Sequence, residues 1–151
     1  MTLTLSSAAF SNGGIIPRTY VQAGQNKSPP LRWQDAPEGT KSFVLVVEDH
    51  DAPVGTVTHW VAYDIPADSD GLLEGLEADQ VPQVKNDMGH TGYDGPKPPK
   101  GQGPHRYHFR LAALNTNSLG LSGSPDPNAV KKAARSHVLA ETELVGTLET
   151  V

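Results

Sequence analysis

Four side chains in this sequence have the types and the placement to act together: Asp49, His59, His105 and Tyr107. His105 and Tyr107 open a run in which His105, Tyr107, Phe109 and Leu111 fall on one face of a strand by period-two alternation. Packing alone would place aliphatic residues at the head of that face, yet an imidazole and a phenol stand there. Asp49 ends a second run, sharing parity with Phe43, Leu45 and Val47, so a carboxylate continues a row of core positions. His59 heads a third strand, with Val61, Tyr63 and Ile65 expected on its side and Trp60 and Ala62 on the other. Taken singly, each has a bland reading: a turn-capping Asp, a satisfied core His, a core Tyr with its hydroxyl at the rim. Their joint occurrence beside two loops rich in Gly and Pro makes them a candidate site.

The set suits a small anion. Protonated histidine donates from both ring nitrogens, and a neighbouring carboxylate favours that charged form. The Tyr107 hydroxyl and loop N–H groups, that of Gly103 among them, can donate further hydrogen bonds. Asp49 would then orient an imidazole, and the ligand would be a phosphate, phosphoryl or carboxylate group whose binding strengthens as pH falls through the histidine range. Asp49, His59 and His105 also form a two-histidine, one-carboxylate set, so a metal-assisted hydrolase or lyase is the alternative, although no close metal-ligand spacing is present. The chain has no Cys and no Gly-x-Ser-x-Gly elbow to supply a nucleophile. A third reading leaves the pocket idle and the protein working through surface contacts.

The elements that must position these groups read as mostly β. Residues 42–48 are the strongest strand signal, apolar on both faces as in the centre of a sandwich. A second strand covers 58–65, joined to the first by a looped connection over 49–57, with a break in direction expected at Pro53 and Gly55. Residues 3–5 read as an edge strand, and 15–17 and 20–21 as short extended pieces. Residues 66–103 lack a long periodic segment: Leu72, Leu73 and Leu76 could make one helical turn, and 81–84 a short extended piece. The end of this stretch is a stiff loop of Gly and Pro, with Lys97 and Lys100 expected at the pocket rim. One helix is expected after Asp126, a natural N-cap followed by Pro127, with Val130, Ala133, Ala134 and Val138 as its apolar stripe. A short last strand is expected over 143–148. Of the other histidines, His50 is expected at the rim, His90 and His137 in solvent, and His108 on the face opposite His105.

Bulk properties bound the function classes. With 151 residues the chain reads as one domain, 1–151, large enough for a single core. Its 15 Gly and 13 Pro fit many turns between short strands. A net charge of −5 argues against nucleic-acid or anionic-membrane binding. The absence of Cys excludes disulfides and thiolate metal sites. No apolar run approaches the ~18 residues of a membrane span, and the amino terminus lacks the pattern of a signal peptide. A cytoplasmic location is the expectation.

These motifs together resemble the phosphatidylethanolamine-binding protein family, which includes Raf kinase inhibitor protein, and most nearly its short prokaryotic branch. The likeness is carried by residues 10–17, 26–33 and 49–53, by His59 and Trp60, and by residues 92–96 and 98–107, in the family's order. It implies a Greek-key sandwich of two antiparallel β-sheets with one C-terminal helix and a small anion pocket at one end. It places Asp49, Pro53, His59, Pro99, His105 and Tyr107 in that pocket, with Gly103 of the adjoining loop completing the candidate ligand-binding set. It further implies a non-enzymatic module without cofactor, modulating a partner kinase or protease, and often homodimeric. His50 stands where the family usually has proline, and Val57 where animal relatives carry an aromatic residue.

Overall fold

The apolar run at 42–48 becomes the middle of the structure because both of its faces find partners. A computed structural model describes residues 2–77 and 79–151. Among these residues seven strands form two antiparallel sheets. β1 (Thr4–Ser6), β2 (Leu31–Gln34) and β5 (Gly71–Leu72) make a small sheet in the order β1-β2-β5. β3 (Ser42–Ala52), β4 (Gly55–Pro66), β6 (His105–Leu114) and β7 (Val138–Leu148) make the larger one in the order β4-β3-β6-β7. The chain changes sheet between β2 and β3, again between β4 and β5, and once more between β5 and β6.

Alternation along β3 sorts its side chains into two cores. Phe43, Leu45 and Val47 face the small sheet and pack with Trp33, Trp60, Phe109 and Leu111. Val44 faces the other way, with Val61, Ala112 and Leu114, beneath Val130 and Ala134 of the α-helix, α1 (Pro127–Ala134). Asp126 caps α1 as its sequence predicts, its carboxylate accepting a hydrogen bond from the Ala129 N–H at 2.7 Å. Val138, expected on the helix stripe, instead begins β7, because α1 passes through a 3-10 turn at Arg135–His137 and ends.

The structure corrects several sequence expectations. The connection after Asp49 is a tight hairpin: β3 runs to Ala52 and β4 starts at Gly55, leaving only Pro53 and Val54 as the turn. The polar residues His50 and Asp51 continue the strand, which their composition hides. The last strand is eleven residues long rather than a short piece at 143–148, because it pairs with β6 from Val138 to Leu148, with one irregularity at Leu139. Leu72 lies in β5 and makes no helical turn. Of the extended piece expected at 20–21, Tyr20 instead closes a 3-10 turn over Arg18–Tyr20, while Val21 is extended. Residues 83–94 run along the free edge of β4 and cover it, through the Ala62–Gln83 bridge, the Asp87 N–H on the Thr58 carbonyl and the Asp94 N–H on the His59 carbonyl.

Two irregularities in the β3–β4 pairing decide which side chains of β4 reach the inner face. Val47 pairs with Trp60 and Glu48 with Thr58, so His59 is an extra residue, a β-bulge. Asp64, at φ 49°, makes a second, between the pairs Phe43–Ile65 and Leu45–Ala62. Strict alternation put His59 and Ile65 with Val61. The bulges turn Ile65 into the core between the sheets, and His59 onto the Tyr107 side.

Candidate functional site

Along the inner face of the large sheet, apolar packing gives way to polar groups at one end. On β3 the row Phe43, Leu45, Val47 continues into Asp49; on β6 the row Leu111, Phe109 continues into Tyr107 and His105. Register makes Asp49 and Tyr107 direct cross-strand partners. Since both strands are buried on this face, the polar groups are buried with them: Asp49 is 3% exposed, His105 2% and Tyr107 1%.

Asp49 is fully engaged within the protein. Its Oδ2 accepts from Nδ1 of His105 at 2.7 Å, and its Oδ1 accepts from the Asp51 N–H at 2.8 Å. A carboxylate held in this way orients an imidazole, as the sequence suggests, and leaves only Nε2 of His105 for other partners. That atom meets Oε1 of Gln102 at 3.1 Å. Both ring nitrogens of His105 therefore have a side-chain partner within the protein.

His59 is held differently. Its Nδ1 lies 2.8 Å from the Asp94 carbonyl oxygen. A carbonyl only accepts, so Nδ1 carries the proton and Nε2 is left as the second functional atom. Burial pushes the His59 pKa below the usual histidine range, against the opposing pull of the Asp94 carbonyl and the Asp49 charge. The ring stands edge-on to Tyr107, centroids 5.3 Å apart and planes at 88°. His105 lies 6.5 Å from the same phenol ring. Tyr107 is thus flanked by both imidazoles.

Among the described residues the Tyr107 hydroxyl has no hydrogen-bond partner. The Lys97 backbone N–H influences it from the loop without meeting ordinary hydrogen-bond geometry. Burial, reinforced by the Asp49 carboxylate, pushes the phenol pKa up, so the hydroxyl keeps its proton and remains a donor.

The structure thus brings Asp49, His59, His105 and Tyr107 together. It leaves Pro53 exposed in the β3–β4 turn and Pro99 exposed in the loop, both outside the buried cluster. Gly103 lies half-buried beside His105 at φ 77°, a backbone conformation that favours glycine. Lys97 and Lys100 are exposed. His50, expected at the rim, stacks on His108 at 4.5 Å and meets Glu48, which places it on the outer face of the sheet. No three His, Asp or Glu side chains converge to hold a metal ion among the described residues. The Asp49, His59 and His105 set of the alternative reading is not such a group.

Two contributors escape a reading of the sequence. Asp94 accepts from Asn26 Nδ2 at 2.8 Å, Asn86 Nδ2 at 2.9 Å and His90 Nδ1 at 2.7 Å. These bonds hold its carboxyl below the usual range despite burial, and they hold the backbone carbonyl that orients His59. Gln102 is the other, marked only by the glycines on either side of it. A cleft of about 390 Å³ on the far side of the large sheet, between α1 and the Val44–Val46–Ala112 surface, contains none of the four site residues.

The family model for phosphatidylethanolamine-binding protein matches residues 6–149. The chain belongs to the phosphatidylethanolamine-binding protein family. Relatives include a UPF0098 protein of Aquifex aeolicus, 45% identical over 93% of this chain and 84% of that protein. The UPF0098 protein YbhB of Escherichia coli is 41% identical over 94% of this chain and 97% of its own length. Among solved structures, a phosphatidylethanolamine-binding protein homologue, CT736, from Chlamydia trachomatis superposes with a TM-score of 0.91 at 35% identity, covering 99% of both chains. YbcL of Escherichia coli, described as a member of the mammalian family, gives a TM-score of 0.91 at 29% identity over the whole of both chains. The two antiparallel sheets and the single short helix are those of this family. No helix among the described residues is long and apolar enough to cross a membrane.

Proposed function

We propose that this member of the phosphatidylethanolamine-binding protein family is a non-enzymatic module that binds a phosphate, phosphoryl or carboxylate group between His59 and His105, and that it modulates a partner kinase or protease in that way. The observation that carries this reading is the Tyr107 hydroxyl, a buried donor without an acceptor. A buried polar group left unpaired costs about 1–3 kcal/mol, and an oxygen anion in front of it would remove that cost. His105 Nε2 supplies a second donor, oriented from behind by Asp49. His59 presents Nε2 as an acceptor when neutral and as a donor once protonated. It therefore suits a ligand oxygen that carries a proton, or takes up a proton as the anion binds.

Isothermal titration of the protein with phosphate and with O-phosphotyrosine, at about pH 7.5 and about pH 6, tests the reading. Saturable binding that is tighter at the lower pH, accompanied by net proton uptake and lost in His105→Ala, is the expected result. Equal binding at both pH values, or full binding in His105→Ala, contradicts it.

A further inference from the structure

His105 is 2% exposed, and each of its ring nitrogens is already occupied: Nδ1 by Asp49 and Nε2 by Gln102. The two partners differ in kind. Asp49 is buried in β3, paired across the sheet and fixed by the Asp51 N–H. Gln102 is exposed and sits in a loop between Gly101 at φ 82° and Gly103 at φ 77°. A Cβ built on either glycine would meet nothing within 4 Å, so there is free space on that side of the backbone at both neighbours of Gln102. This backbone is tied down by the Gly101 N–H, which donates to the Thr150 carbonyl at 3.1 Å. A side chain on such a loop can leave without disturbing the sheet beneath it.

The chemistry of the contact is that of a ligand contact. An amide oxygen at 3.1 Å from Nε2 occupies the position an anionic oxygen would take on the same nitrogen. It is a neutral acceptor, whereas an anion makes a charge-assisted bond of roughly twice the strength. An anion can therefore displace Gln102 at a gain, but a neutral hydroxyl or a water molecule exchanges one ordinary hydrogen bond for another. Resting on the anion-binding reading above, we infer that Gln102 is an intramolecular stand-in for the ligand. It fills Nε2 of His105 in the free protein, must swing out before an anion binds, and so sets the affinity threshold of the site. In the absence of ligand it also gives that nitrogen a partner within the protein and covers it from solvent.

A merely structural role for Gln102 predicts the opposite sign of effect, and this makes the inference testable. Phosphate binding is measured by titration calorimetry in the wild-type protein, Gln102→Ala, Gln102→Glu and His105→Ala. Removing the competing side chain tightens phosphate binding about 2- to 10-fold in Gln102→Ala, the factor of one neutral hydrogen bond. Gln102→Glu tethers a carboxylate at the same nitrogen and weakens phosphate binding by about 10-fold or more, as a charge-assisted bond must now be displaced. In Gln102→Ala the ring N–H of His105, followed by nitrogen-15 NMR, exchanges faster with solvent than in the wild type. Wild-type binding that is unchanged or weaker in Gln102→Ala overturns the stand-in role and leaves the anion site intact. If neither the wild type nor Gln102→Ala binds phosphate, the anion reading and the stand-in role fall together.

Discussion

At the scale of single residues, the site works by giving each polar atom a different obligation. Asp49 uses both of its oxygens within the protein, one on His105 Nδ1 and one on the Asp51 N–H. His59 has one nitrogen fixed by the Asp94 carbonyl and a pKa lowered by burial. In the free protein His59 is thus neutral under conditions where the unfolded chain, titrating near ~6.5, already takes up a proton. Linkage gives the sign: the His59 contribution to stability is complete above the unfolded value and is lost as pH falls from there towards the depressed folded value. A bound anion favours the protonated ring and raises its folded pKa, which reduces that loss. Urea unfolding midpoints between about pH 7.5 and about pH 5.5 are expected to fall in the free protein and to fall less with saturating phosphate. The same drop with and without phosphate would contradict a ligand at His59. Alternation in the sequence is enough to find Asp49, His105 and Tyr107, because each extends a row of core side chains. It cannot find Asp94, which acts on His59 through its backbone carbonyl, or Gln102, which acts from a loop without periodicity.

At the scale of elements, the site depends on how three strands and one loop are brought into register. β3 and β6 place Asp49 opposite Tyr107, and the bulge in β4 turns His59 onto the same side. Residues 86–95 complete the arrangement, with Asn26 and Asn86 clamping the Asp94 carboxylate and Asn26 Oδ1 accepting the Gly95 N–H at 2.7 Å. Gly95 is required there by space: a Cβ on it would overlap the Tyr20 carbonyl oxygen. Gly95→Ala is expected to cost about 1–3 kcal/mol of stability, as overpacking against backbone does. It should also weaken phosphate binding, because the displaced loop carries the carbonyl that holds His59. Chemical unfolding and calorimetry of this one variant check both effects. Strand identity is readable from alternation in β3, β4 and β6, and the N-cap of α1 from Asp126 and Pro127. The bulges are not readable, since an inserted residue keeps the local composition of a strand while reversing which face each neighbour occupies. The β3–β4 turn is hidden by polar residues that extend β3, and β7 by a composition that shows its strand character only through pairing with β6.

At the scale of the whole molecule, the large sheet separates two environments. Its inner face is apolar for most of its length and polar at the end where Tyr107 stands, while its outer face carries α1, the stacked pair His50–His108 and the Glu48–Lys131 ion pair. A fold selected for stability alone would place an apolar side chain where the Tyr107 hydroxyl lies, since an unpaired buried hydroxyl subtracts from global stability. Under the proposed function this hydroxyl is kept for a ligand. The decisive measurement takes, in Tyr107→Phe, both the free energy of unfolding and the affinity for phosphate. A hydroxyl kept for a ligand predicts a variant as stable as the wild type, or more stable by up to about 1–3 kcal/mol, whose phosphate affinity has fallen by about 10-fold. A protein that is markedly less stable, or one that binds phosphate as tightly as the wild type, would contradict it.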